Sequence, residues 1–220
     1  ACFPRSFVDV NRSSKDLDQK LIINLDKCSQ NPRTSAGLGV IPRVVGQGLE
    51  IYKTKIAFNE VEYRLNKYYF PYHRKLRTVI NDTIKRFGSA TLFDFHSMPH
   101  SCTNQFSTKK SIIPQIILGD CFGTSCDTRL SEKVFDIFST AGFRVEMNNP
   151  FSGGFITKNY GVPKKNVNAI QVEIDRSLYM NEKDYTLHSG YLDLKKKLYF
   201  IIYELSQIQE CKDVLFPAAE

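Results

Sequence analysis

Asp94 and His96 stand two residues apart in Thr91-Leu92-Phe93-Asp94-Phe95-His96-Ser97-Met98-Pro99-His100, an apolar run that ends in a polar cluster and a proline. On a strand, that spacing puts both side chains on one face. An imidazole that ligates a metal needs its second nitrogen held by a carboxylate or a carbonyl, and Asp94 can do this. The plainer reading is a buried histidine bonded to backbone. Glu173 lies in Ala169-Ile170-Gln171-Val172-Glu173-Ile174-Asp175-Arg176 among apolar neighbours. Low-dielectric surroundings raise a carboxyl toward general-base duty; a salt bridge to Arg176 is the competing explanation. Arg12 offers a planar fork for a carboxylate, with the amide of Asn11 beside it. An exposed arginine is also an ordinary surface residue.

The elements that would position these groups follow from the pattern. Residues 90–96 read as a buried strand between Gly88 and Pro99, opening into a loop at the end where α/β sheets bind ligands. Phe7-Val8-Asp9-Val10 alternates like a short strand that delivers Asn11 and Arg12 at its end. Residues 21–49 carry turn residues and read as loop with short strands. Val61, Leu65 and Tyr68, then Leu76, Ile80 and Ile84, mark a helix over 59–86, kinked or restarted at Pro71 and stopped by Gly88. Pro114–Leu118 is a second apolar run. Ser131 reads as the N-cap of a helix to Thr140, with Gly142 after it. Strands follow at 143–147 and 168–174, and an amphipathic helix at 192–208. Asn148-Asn149-Pro150-Phe151-Ser152-Gly153-Gly154 reads as a loop with unusual backbone angles. Strands alternating with helices predict an α/β domain over 1–220. His73 falls in the helical segment as a structural residue or as support for a site residue, and His100 and His188 fall in loops.

The 220 residues carry a net charge of +7. The lysine runs 109–110, 164–165 and 195–197 are not interleaved with aromatics as a base-stacking surface would be, so nucleic acid is not the expected partner. The charge suits a small anionic substrate. Six cysteines (Cys2, Cys28, Cys102, Cys121, Cys126, Cys211) form no CxxC pair and read as reduced thiols of a cytoplasmic protein. No apolar run is long enough to span a bilayer. Oligomeric state leaves no mark in the sequence.

Phe3-Pro4-Arg5, Val8-Asp9-Val10-Asn11-Arg12, Asp94-Phe95-His96-Ser97-Met98-Pro99, Gly119-Asp120-Cys121-Phe122-Gly123-Thr124-Ser125-Cys126, Asn149-Pro150-Phe151-Ser152-Gly153-Gly154 and Gln171-Val172-Glu173-Ile174-Asp175-Arg176-Ser177-Leu178-Tyr179-Met180 occur in this order. Together they resemble the N-formylglutamate amidohydrolase family, related to zinc carboxypeptidases and aspartoacylase. The resemblance implies a phosphorylase/hydrolase-like three-layer sandwich with a mixed, largely parallel sheet. It implies zinc-dependent hydrolysis of N-formyl-L-glutamate, or a similar N-acyl amino acid, late in histidine degradation. It also implies roles: His96 as a zinc ligand, Glu173 as proton carrier and Arg5 as oxyanion partner. Asn11 and Arg12 would grip the substrate carboxylate, and Asn149, Phe151, Gly153 and Gly154 would shape the pocket.

The chain begins Ala1-Cys2-Phe3-Pro4 without a methionine. The family's Pro-His-Ser-Gly-type motif, expected to supply the remaining zinc ligands, is not in it. A catalytic zinc takes three protein ligands. The expectation is therefore an N-terminally incomplete amidohydrolase domain; the alternative is a metal-deficient, non-catalytic remnant that at most binds acidic amino acids.

Overall fold

The computed structural model describes residues 2–25, 31–104 and 113–208. Cys28, Cys211 and the Lys109-Lys110 run lie outside the described residues. Cys2, Cys102, Cys121 and Cys126 are free thiols. The chain divides into two compact units, Ala1–Leu92 with Gly153–Ala169, and Phe93–Ser152 with Ile170–Glu220.

In the first unit, a four-residue helix α1 (Pro32–Ser35) starts on an Asn31 side chain that accepts from the Thr34 N–H. Helix α2 (Phe58–Arg64) then runs through a π turn at Leu65–Tyr69 into α3 (Phe70–Phe87). The expected disturbance at Pro71 is this widened turn. Proline brings no N–H and its ring crowds the carbonyl four residues back, so the chain closes Phe70 N–H onto Leu65 O across five residues. The helix is not broken. Its two halves feed different cores: Val61, Leu65 and Tyr69 pack with Val8, Leu21, Ile22, Val40 and Ile41, whereas Leu76, Ile80 and Ile84 pack with Ile156, Tyr160 and Val167. Gly88, at φ 81°, ends α3 in the left-handed conformation.

Residues 7–10 are not a strand. Asp9 N–H bonds Val40 O, while Phe7 N–H and Arg12 N–H close turns onto Pro4 O and Asp9 O. The apolar alternation there arises from Val8 entering the core beside polar turn residues.

The strands form a mixed sheet, most of whose residues belong to the second unit. Its order is β1 (Ala90–Met98), β4 (Val167–Asp175), β2 (Ile116–Gly119), β3 (Val145–Met147). Strands β2 and β3 are parallel, and β2 and β4 antiparallel, with Ile117 opposite Glu173. Between the strands lie α4 (Ser101–Asn104), α5 (Thr128–Thr140) and, in the first unit, α6 (Phe155–Tyr160). Helix α7 (Gly190–Ser206) follows β4. Ile116, Leu118, Val134, Phe138, Ile170, Val172, Ile174 and Ile201 form the core. Helix α5 begins three residues before the expected cap. Asp127 caps it by accepting from Arg129 N–H, and Ser131, inside the helix, donates to Asp120 Oδ2. Strand β1 continues to Met98, so His96 sits within the strand and not beyond its end. Among the described residues no helix is long and apolar enough to cross a membrane.

Candidate active site

Strand β4 is buried at all nine positions, yet from Ile170 onward it is apolar on one face only. Ile170, Val172 and Ile174 point into the core of the second unit. By alternation Gln171, Glu173 and Asp175 line the opposite face. Buried polar groups are tolerated when they are bonded, and these are. Gln171 Nε2 donates to Glu173 Oε1 at 2.9 Å. Asp175 accepts from Ser177 N–H through Oδ1 and pairs through Oδ2 with His100 Nδ1 at 2.7 Å.

The neighbouring strand adds to the same face. Phe93 of β1 packs on the core with Ile170 and Val172, so Asp94 and His96 fall on the side of the Gln171–Asp175 stripe. His96 Nε2 lies 2.8 Å from Asp94 Oδ2. The strand spacing thus yields the carboxylate-held imidazole that the sequence suggested. Arg176 turns to Ser97, donating to its Oγ and carbonyl, and Gln171 donates to Glu173. Cys102 on α4 lies within electrostatic reach of Glu173 and Glu182. Burial pushes its thiol up, and both carboxylates add to the shift.

The sequence singles out His96 and Glu173, assigns no role to Gln171 or Asp175, and places His100 in a loop, where the structure pairs it with Asp175. Polar residues at i, i+2 and i+4 of a run whose alternate positions are Ile, Val and Ile were the available signal.

Two loops leave the sheet at the C-terminal ends of the parallel pair β2 and β3. Cys121, Phe122 and Gly123 are successive left-handed residues. The turn is fixed by Asp120 Oδ1, which accepts from Gly123 N–H and Asn148 Nδ2, and by Asn148 Oδ1, which accepts from Asp120 and Phe122 N–H. Asn149, in a cis bond to Pro150, is exposed, and Phe151 is half-buried. The expected loop of unusual backbone angles is thus present, with Asn148 at φ 61° and Gly153 at φ 128°.

In the first unit the turn at 9–12 has its own geometry. Asp9, buried, accepts from Arg5 Nε and Nη2 at 3.1 and 2.8 Å and from Asn11 N–H. The Arg5 side chain is 54% exposed, so its guanidinium is fixed but faces solvent. Arg12 is largely buried, with Nε on Leu38 O and Nη1 on Asn11 O. Burial lowers its pKa, with Arg33 and Arg5 adding and Asp9 and Asp16 opposing. Asn11 turns inward: its Oδ1 accepts from Ile156 N–H at 2.8 Å and so caps α6, whose N-cap residue Gly154 has no side chain to do so. A Cβ on Gly154 would come within 2.5 Å of Asn11 Oδ1. The structure therefore brings Asn11, Gly153 and Gly154 together.

Above this turn, His73 Nε2 meets Val10 O and its Nδ1 meets the Tyr160 hydroxyl; Tyr69 OH donates to Arg12 O. Since Nε2 must donate to a carbonyl, Nδ1 accepts from Tyr160. Burial depresses His73 to about 4. His73 is structural, as expected. His188 is equally committed, with Nε2 on Ser177 O and Nδ1 accepting from Gly190 N–H.

Among the described residues no group of three His, Cys, Asp or Glu side chains is arranged to hold a metal ion. A catalytic zinc takes three protein ligands. The described residues do not by themselves make a complete zinc centre.

A family model described as N-formylglutamate amidohydrolase matches residues 1–180. N-formylglutamate deformylase of Pseudomonas putida is 31% identical over 170 residues, covering 75% of this chain and 62% of the relative. The Pseudomonas aeruginosa protein of the same name is 29% identical over 186 residues, covering 83% and 64%. The chain thus spans less than two thirds of these relatives' length. The crystal structure of N-formylglutamate amidohydrolase from Ralstonia eutropha JMP134 superposes with a TM-score of 0.84 at 29% identity, covering 94% of this chain and 74% of that one.

Proposed function

Because this chain belongs to the N-formylglutamate amidohydrolase family, we propose that it carries out hydrolysis of the N-formyl amide of N-formyl-L-glutamate, or a close N-acyl amino acid, to formate and the free amino acid. The observation that carries this reading is the polar face on which the buried Glu173 and the half-buried, Asp94-held His96 sit on adjacent strands.

Glu173 is the proton carrier. It takes a proton from the water whose oxygen attacks the formyl carbon, and returns it to the nitrogen as the C–N bond breaks. Arg5, pinned by Asp9, supplies positive charge for the oxygen on which negative charge develops. Arg12 and the amide of Asn11 serve the substrate carboxylate. With Asn11 Oδ1 given to α6, that duty falls mainly on Arg12. Asn149, Phe151, Gly153 and Gly154 shape the pocket. Zinc belongs to the same proposal: with His96 as one of its ligands, the ion would supply hydroxide-like water near neutral pH. We further propose a cytoplasmic setting, late in histidine breakdown, from the family's reaction.

The test is formate release from N-formyl-L-glutamate by the full-length protein. Glu173→Gln should lower kcat roughly 100-fold to 10,000-fold while the zinc content, read by elemental analysis, stays as in wild type. His96→Ala should lose zinc. Full turnover in the Glu173 variant, or unchanged zinc stoichiometry in the His96 variant, removes the corresponding assignment.

A further inference from the structure

Gln171 is a neutral amide at a position where β4 buries everything, and no role has yet been assigned to it beyond its bond to Glu173. Strand geometry explains why the side chain is glutamine. Residues two apart on one face are separated by about 7 Å along the strand, so a long amide is needed to reach the neighbouring carboxylate, and asparagine falls a methylene short. The amide turns its donor, Nε2, onto Oε1 at 2.9 Å. A donor aimed at a carboxylate favours the ionised form and fixes the plane of the group.

Other groups stand on the same sheet and near it. Asp94 and His96 come from β1, where they pair with each other. Asp175 on β4 is held by His100 and Ser177. The residue facing Glu173 from β2 is the apolar Ile117. Cys102 on α4 brings a thiol, with Glu182 and Arg176 in the same surroundings, and Arg176 is bonded to Ser97.

We infer that Gln171 is the positioning residue of the proton carrier: its amide orients the Glu173 carboxylate and keeps it ionised, ready to accept a proton. This rests on the reading of Glu173 given above.

The test uses Gln171→Leu, which keeps bulk and removes the donor, and Gln171→Asn, which keeps the amide and shortens it. In both, kcat on N-formyl-L-glutamate falls about tenfold with KM within about twofold, as expected for an interaction needed at the reacting centre only. The Glu173 carboxyl, followed by carbon NMR and assigned by its absence in Glu173→Gln, titrates at least about half a pH unit higher. Gln171→Glu moves it further, because adjacent carboxylates share a proton. An unmoved titration midpoint in the folded Leu and Asn variants overturns the inference, whatever turnover does. Full turnover in Glu173→Gln defeats the proton-carrier reading instead, and the NMR midpoint still decides whether Gln171 governs the carboxylate.

Discussion

His73 shows what a buried imidazole does when it is not at the chemistry. Its ring is 3% exposed, bridges Val10 O and the Tyr160 hydroxyl, and stacks near Tyr69 and Tyr160. Its folded pKa of about 4 lies below the ordinary value of 6.5, chiefly because burial penalises the cation. The unfolded chain therefore gains this proton first as pH falls. Stability held above pH 6.5 is lost progressively down to about pH 4 and then levels, a loss on the order of 1–3 kcal/mol. Replacing His73 by glutamine keeps a donor and an acceptor without a titration. Urea midpoints of wild type and His73→Gln at pH 7 and pH 5 should show the wild type losing more on acidification; equal losses would mean that His73 does not titrate between folded and unfolded states. At this scale the sequence was partly legible. Residue type and a two-residue spacing sufficed for Asp94 with His96, whereas the inward turn of Asn11 depends on Ile156, 145 positions away, and no local pattern carries that.

At the scale of elements, the joint between the 9–12 turn and α6 is open to a direct measurement. Asn11→Ala removes the acceptor for Ile156 N–H and should cost about 1–2 kcal/mol, as for a lost helix cap. Gly154→Ala should cost more in the wild-type background, because its Cβ meets Asn11 at 2.5 Å, and less once Asn11 is alanine. A double-mutant cycle by chemical denaturation should therefore show the two losses failing to add by at least about 1 kcal/mol; additivity would show that the close approach is relieved elsewhere. The helices and most strands were readable because their periods and stops are local: Gly88 after α3 and the alternation of β1 and β4. The readings that failed share one cause. Residues 7–10 alternate but pair with no strand among the described residues, and Ser131 looks like a cap although Asp127 takes that place.

For the molecule as a whole, the net charge of +7 acts on encounter more than on chemistry. A dianionic substrate should be drawn in at low ionic strength, so raising salt from about 50 to about 500 mM should raise KM severalfold and leave kcat nearly constant. A salt-insensitive KM would confine recognition to short-range bonds. The α/β class was legible from the alternation of elements, and the wide turn at Leu65–Tyr69 from Pro71 only in part, since a proline can as easily break a helix. That turn has an effect reaching beyond its five residues. It sets the angular phase between Val61 and Leu65 on one side and Ile80 and Ile84 on the other. Dropping one residue there would restore a regular spiral yet swing everything downstream by roughly 100°, the angle of a single helical step. The apolar stripe of α3 would then face water. Descendants of this protein can be expected to exchange side chains along the segment far more freely than to change its length.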